Sequence, residues 1–96
     1  MNIQELLKKK RKAILQLASL HGAKNIRLFG SVARGEDIAT SDIDFLVEME
    51  KGRTFLDLVG FWQDLEEMLG RKTDVITDGG ISPYLRAQIY KEAKPL

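Results

Sequence analysis

Apolar residues at Ile3, Leu6, Leu7, Ile14, Leu17, Ala18 and Leu20 fall mostly on one stripe of a 3.6-residue repeat, which predicts a helix from Asn2 to His21. Asn2 followed by Glu5 reads as a capping box, and Gly22 as a left-handed stop. The period then drops to two. Asn25–Phe29 alternates as a strand with Ile26 and Leu28 on one face. Gly30-Ser31 breaks it, Val32-Ala33-Arg34 begins a helical turn that Gly35 ends, and Glu36–Ser41 is a polar loop. Asp42–Met49 is the second strand, left through Lys51-Gly52.

Helical spacing returns at Phe55, Leu58, Val59, Trp62, Leu65 and Leu69, predicting a helix over Thr54–Leu69, with Thr54 and Asp57 as a capping box and Gly70 as its close. Thr73–Thr77 is a short third strand, and Asp78-Gly79-Gly80 a turn. Ser82 as cap and Pro83 in the first position open a last helix to about Glu92, with Tyr84, Leu85, Ile89 and Tyr90 as its apolar side.

The order is α-β-(turn)-β-α-β-α. A strand–helix–strand unit from Asp42 to Thr77 is expected to be a right-handed crossover joining parallel neighbours. The two strands flanking Gly30-Ser31 are expected to pair antiparallel. The fold class is therefore α/β: a small mixed β-sheet of about three to four strands with helices on one face, forming one domain over residues 1–96.

Alternation puts Asp42, Asp44 and Leu46 on one face of the second strand and Ile43, Phe45 and Val47 on the other. The apolar set suits the helix-covered face and leaves both aspartates on the open one. Asp74 opens the third strand as Asp42 opens the second, so parallel neighbours gather three carboxylates near Gly30-Ser31. Carboxylates so gathered repel one another unless a cation is present.

Composition narrows the cation. There is no cysteine and a single histidine, His21, so any metal is held by oxygen, as Mg²⁺, Mn²⁺ or Ca²⁺ are. The P-loop pattern and the EF-hand order are both absent. With 15 basic and 14 acidic residues, the net charge of +1 gives no bulk electrostatic case for nucleic acid or membrane. No apolar run approaches a membrane span and the N-terminus has no signal-peptide core, so the expected location is cytoplasmic.

Lys8-Lys9-Lys10-Arg11-Lys12 spreads all round the first helix, which reads as a solvated turn with Lys10 at the edge of the stripe. His21 reads as a helix-terminal residue and Trp62 as core.

Gly30-Ser31, residues 32–41, then Asp42-x-Asp44 resembles the signature of the polymerase-beta-like nucleotidyltransferases. The fuller strings G-S-V-A-R-G-E, S-D-I-D-F-L-V and S-P-Y-L-R are similar to the minimal nucleotidyltransferase (MNT) branch, from Asn25 to the last helix. The resemblance implies two-metal nucleotidyl transfer from a nucleoside triphosphate, ATP in the antitoxin members. Asp42 and Asp44 would hold two Mg²⁺ ions, Mn²⁺ being an alternative. Asp74 would complete the second ion and help deprotonate the attacking hydroxyl. The amides at Gly30 and Ser31, with the Ser31 hydroxyl, would hold the β- and γ-phosphates. Arg34 would donate to the leaving diphosphate, its other reading being a surface arginine paired with Glu36 or Asp37.

Free-standing members of this branch imply an antitoxin that transfers AMP to a tyrosine of a HEPN-domain ribonuclease toxin. Two other readings stay open: a nucleotidyltransferase subunit acting on a small molecule with a partner chain, and a non-catalytic antitoxin that inhibits a HEPN toxin by binding.

Overall fold

The structure, a computed structural model, describes residues 2–96. Helix α1 (Ile3–His21) starts where expected, with the Asn2 side chain accepting the Glu5 N–H at 2.8 Å. Gly22, at φ 77°, ends it. Strand β1 (Ala23–Phe29) runs into the short helix α2 (Gly30–Arg34), closed by Gly35. Strand β2 (Ile43–Met49), helix α3 (Phe55–Leu69) and strand β3 (Thr73–Thr77) form the crossover unit. The Asp57 carboxylate accepts the Thr54 N–H at 2.8 Å, fixing the start of α3. A 3-10 turn over Asp78–Gly80 leads into helix α4 (Pro83–Glu92), and Lys94–Pro95 adds a short strand, β4.

The four strands lie in the order β3-β2-β1-β4. β2 and β3 are parallel, with Asp44 opposite Asp74, and β1 and β2 are antiparallel, with Phe29 opposite Asp44. The β1–β2 register shifts between Lys24 and Arg27, where Asn25 adopts φ 50°. The added residue at this bulge lets Arg27 stand opposite Leu46.

Helices α1 and α3 pack on each other and on one face of the sheet, as expected. Ile43, Phe45 and Val47 point into that layer against Ile14, Phe61 and Leu65, all fully buried. Each such side chain contributes about 1.5–3 kcal/mol relative to an exposed one. The stripe of α3 is centred on Phe61, Leu65 and Leu69, whereas Phe55, expected within it, is exposed. Position 61 lies three after Leu58 and four before Leu65, so Phe61 fits the same repeat, and Phe55 is left on its solvent side. Trp62 packs partly buried against the core and donates Nε1–H to the Thr73 carbonyl at 2.9 Å.

The second face is less open than alternation implies. Leu46 has 0% exposure and Ile81 is buried, both outside the main core cluster. Tyr90 of α4 lies over Arg27, its ring centroid 5.8 Å from the guanidinium carbon. Helix α4 thus crosses the face that carries Arg27 and Leu46, opposite α1 and α3. It buries none of its own residues, and Tyr84 is 97% exposed. Its anchors are polar. Tyr90 donates its hydroxyl hydrogen to Asp78 at 2.5 Å, and Arg27 donates to the other oxygen of Asp78 at 2.7 Å. The Asp78 hydrogen bond holds the Tyr90 phenol above its ordinary pKa. Among the described residues no helix is long and apolar enough to cross a membrane.

Candidate active site

Chain geometry brings four short stretches to one edge of the sheet: the end of β1, all of α2, the start of β2 and the start of β3. Two hydrogen bonds fasten the entrances of β2 and β3. Ile43 N–H donates to the Lys72 carbonyl at 3.1 Å, and Arg71 donates Nη2–H to the Ser41 carbonyl at 2.7 Å. Ser41 also folds the preceding loop, its hydroxyl oxygen accepting the Ile38 N–H at 2.8 Å. Ser41 and Arg71 are thus structural parts of the site that the sequence pattern left unmarked. Both act through contacts to the backbone, which carry no periodic signal.

The turn out of β1 passes against Asp44. Gly30 has φ 74°, a left-handed conformation that glycine adopts without steric cost. A side-chain carbon on residue 30 would overlap Asp44 Oδ2 and stand 3.1 Å from Asp44 Cγ. Residue 30 therefore has to be glycine both for its backbone and for the space beside it. Ser31 follows, half-buried in the first turn of α2, while Val32 and Ala33 are buried and pin α2 to the sheet.

Asp44 is half-buried and sits opposite Asp74, with Asp42 two residues before it, just ahead of β2, where the strand was expected to begin. Its carboxyl is pushed up to about 6, first by burial, then by the negative charges of Asp74 and Asp42, with Arg34 pulling the other way. Asp44 thus registers the charges of both other carboxylates and of Arg34. Among the described residues no group of three or more His, Cys, Asp or Glu side chains is placed to hold a metal ion, so Asp42, Asp44 and Asp74 do not together form a ready-made cage. The donor chemistry, paired carboxylates on an exposed sheet edge, fits Mg²⁺, which takes one or two protein carboxylates and completes its shell with water and phosphate oxygens.

Arg34 ends α2 and is held by two carboxylates. Its Nε–H donates to Glu36 at 3.2 Å and its Nη1–H to Glu92 of α4 at 3.0 Å. Of the two surface partners expected for it, Glu36 is engaged; Glu92 was not foreseen. The Glu36 hydrogen bond is the main cause of a guanidinium pKa raised above its usual value. His21 lies away from this edge, its Nε2 2.7 Å from Asp64 Oδ2. Of the basic run, Lys8, Lys9, Arg11 and Lys12 are exposed and Lys10 half-buried. A cleft of about 640 Å³ lies elsewhere, between the ends of β2 and β3 and the start of α3. Lys51, Arg53, Phe55 and Thr77 line it, and the three aspartates do not.

Comparison with known proteins converges on one family. The nucleotidyltransferase domain family matches residues 7–96. A Methanocaldococcus jannaschii protein named "Putative protein adenylyltransferase MJ0435" is 45% identical over 93 residues, covering 97% of this chain and 96% of that one. A solved structure described as a "putative minimal nucleotidyltransferase" superposes with a TM-score of 0.86 at 47% identity, covering 96% of this chain and 94% of the other. A crystal structure of a mutant form of the toxin–antitoxin MntA-HpeT matches with a TM-score of 0.72 at 25% identity, over 90% of this chain and 70% of the other.

Proposed function

The chain belongs to the nucleotidyltransferase domain family, and from that premise we propose that it is a Mg²⁺-dependent protein adenylyltransferase working as an antitoxin in the cytoplasm. Its substrates are ATP and a tyrosine of a HEPN-type ribonuclease toxin, which the added AMP silences. The observation that carries this reading is the approach of Gly30 to Asp44. It sets the Gly30-Ser31 turn beside a carboxylate that feels the charges of Asp42 and Asp74. The 45% identity to a chain named as a protein adenylyltransferase supports the protein acceptor, and the likeness to a toxin–antitoxin structure supports the partner.

In this reading the amides of Gly30 and Ser31, with the Ser31 hydroxyl, hold the β- and γ-phosphates, and Arg34 donates to the departing diphosphate. Asp42 and Asp44 would hold two Mg²⁺ ions, with Asp74 completing the second. A bound divalent cation neutralises charge on the phosphate oxygens. The tyrosine oxygen attacks the α-phosphorus, the bond from that phosphorus to the oxygen bridging to the β-phosphorus breaks, and diphosphate leaves. Asp74 takes the hydroxyl proton. Asp44, raised to about 6, is ionised at neutral pH and remains an acceptor rather than a donor.

The test is intact mass spectrometry of the HEPN-type partner after incubation with this protein, ATP and Mg²⁺. A gain of one or more AMP units, lost with Asp42→Asn/Asp44→Asn, supports the proposal. An unmodified partner held in a stable, non-toxic complex overturns it in favour of inhibition by binding.

A further inference from the structure

Arg34 ends the short helix that begins at Gly30, and its charge acts on Asp44, so what fixes its side chain matters. Its two carboxylate partners differ. Glu36 lies two residues on in an exposed loop, with its side chain 67% exposed; Glu92 stands on α4, with its side chain 19% exposed. A shielded carboxylate on a helix is a more fixed partner for a guanidinium than an exposed one on a loop, although the Glu36 hydrogen bond bears more strongly on the Arg34 pKa. The recorded bonds use Nε and Nη1, leaving Nη2 without a partner among the described residues. Glu36 thus takes Nε and Glu92 of α4 takes Nη1, and the Nη2 group between them is left to donate to an anion.

We propose that Glu92 is a positioning residue: through Nη1 it holds the Arg34 guanidinium so that its Nη2 edge faces a nucleoside triphosphate bound at the Gly30–Asp44 edge. The inference rests on the nucleotidyltransferase reading of that edge and adds to it a part for α4. An arginine already held loses less side-chain freedom when the phosphate arrives, so the gain is expected in nucleotide binding more than in the chemical step. It also gives a physical reason for a helix that buries none of its residues to be tied down at its C-terminal end, by Asp78 at Tyr90 and by Arg34 at Glu92.

The experiment measures affinity for the Mg²⁺ complex of a non-hydrolysable ATP analogue by calorimetry, alongside steady-state transfer kinetics. Glu92→Ala is expected to weaken analogue binding and raise KM for ATP about tenfold, with kcat changing less than about threefold. Glu92→Gln keeps an acceptor oxygen and is expected to recover most of the loss. Arg34→Ala is expected to weaken binding as much as Glu92→Ala, and the double variant no further than either. Should Glu92→Ala fail to fold, Glu92→Asp, which keeps the charge but falls one methylene short, is expected to show the same weakening. A wild-type protein that binds and transfers, with Glu92 variants unchanged, tighter in binding, or additive with Arg34→Ala, overturns this inference alone. A wild-type protein that neither binds the analogue nor transfers overturns it together with the reading beneath it.

Discussion

Asp44 reaches across from β2 into the space that a side chain on residue 30 would fill. Both disfavour a side chain at position 30, Asp44 by contact and Gly30 by its left-handed backbone. Gly30→Ala is therefore expected to cost about 2 kcal/mol and to lower Tm by about 10 °C. Thermal melts followed by circular dichroism check this. A melting curve within a degree of wild type would mean that the turn relaxes freely.

Because Asp44 binds its proton more tightly folded than unfolded, its ionisation opposes folding. The sign follows directly: the folded pKa of about 6 lies above the usual 3.8, so its stabilising contribution is full below pH 3.8 and is lost as pH rises through 6. Asp44→Asn is expected to flatten the stability profile between those values. At pH 7 it is expected to stabilise the metal-free protein by on the order of 1 kcal/mol, allowing for solvent screening of a half-exposed group. Urea denaturation across that pH range measures both.

Mg²⁺ with a non-hydrolysable ATP analogue is expected to raise Tm of the wild-type protein and to leave that of Asp42→Asn/Asp44→Asn unchanged. The same double variant is expected to lose nucleotidyl transfer while keeping its circular dichroism spectrum. Retained transfer would remove both aspartates from the metal site.

At the start of β3, Thr73 is buried with its hydroxyl unpartnered, while its N–H donates to Glu66 and its carbonyl accepts from Trp62. Replacing that hydroxyl by a methyl group removes an unpaid desolvation and keeps the β-branched shape. Thr73→Val is expected to stabilise the fold by about 1 kcal/mol, a rise in Tm of about 4–8 °C. A fall in Tm would show that the hydroxyl has a partner in solution.

Features written in a few adjacent residues were legible in advance: the Asn2 cap, the Gly22 stop, the Thr54–Asp57 box and the Gly35 break. The alternation in β2 correctly separated Ile43, Phe45 and Val47 from Asp42 and Asp44. What it missed depends on partners far along the chain. Leu46 shares the aspartates' face yet is buried beneath that face's own cover. Arg27 pairs with Asp78, and Arg34 with Glu92, across spans that leave no periodic trace. Strand β4 is two residues long and contains a proline, which is too short for alternation and carries the wrong residue for a strand. The apolar side expected for α4 is mostly exposed, because the helix is attached by charge and hydroxyl contacts instead.

The short strand β4 has a consequence for solubility and folding. Without it, β1 is an outer strand with bare amides and carbonyls, the kind of template on which other chains can align. Lys94 and Pro95 lie along that edge, and Leu96 N–H donates to the Ile26 carbonyl at 3.0 Å. A lysine and a proline both discourage further strand addition beyond them. The cover is nonetheless thin. It docks against a strand far back in sequence, so it is placed late in folding, and with so few ladder bonds it is among the first segments to lift. Lifting of β4 would therefore expose the outer edge of β1 while the core stays closed.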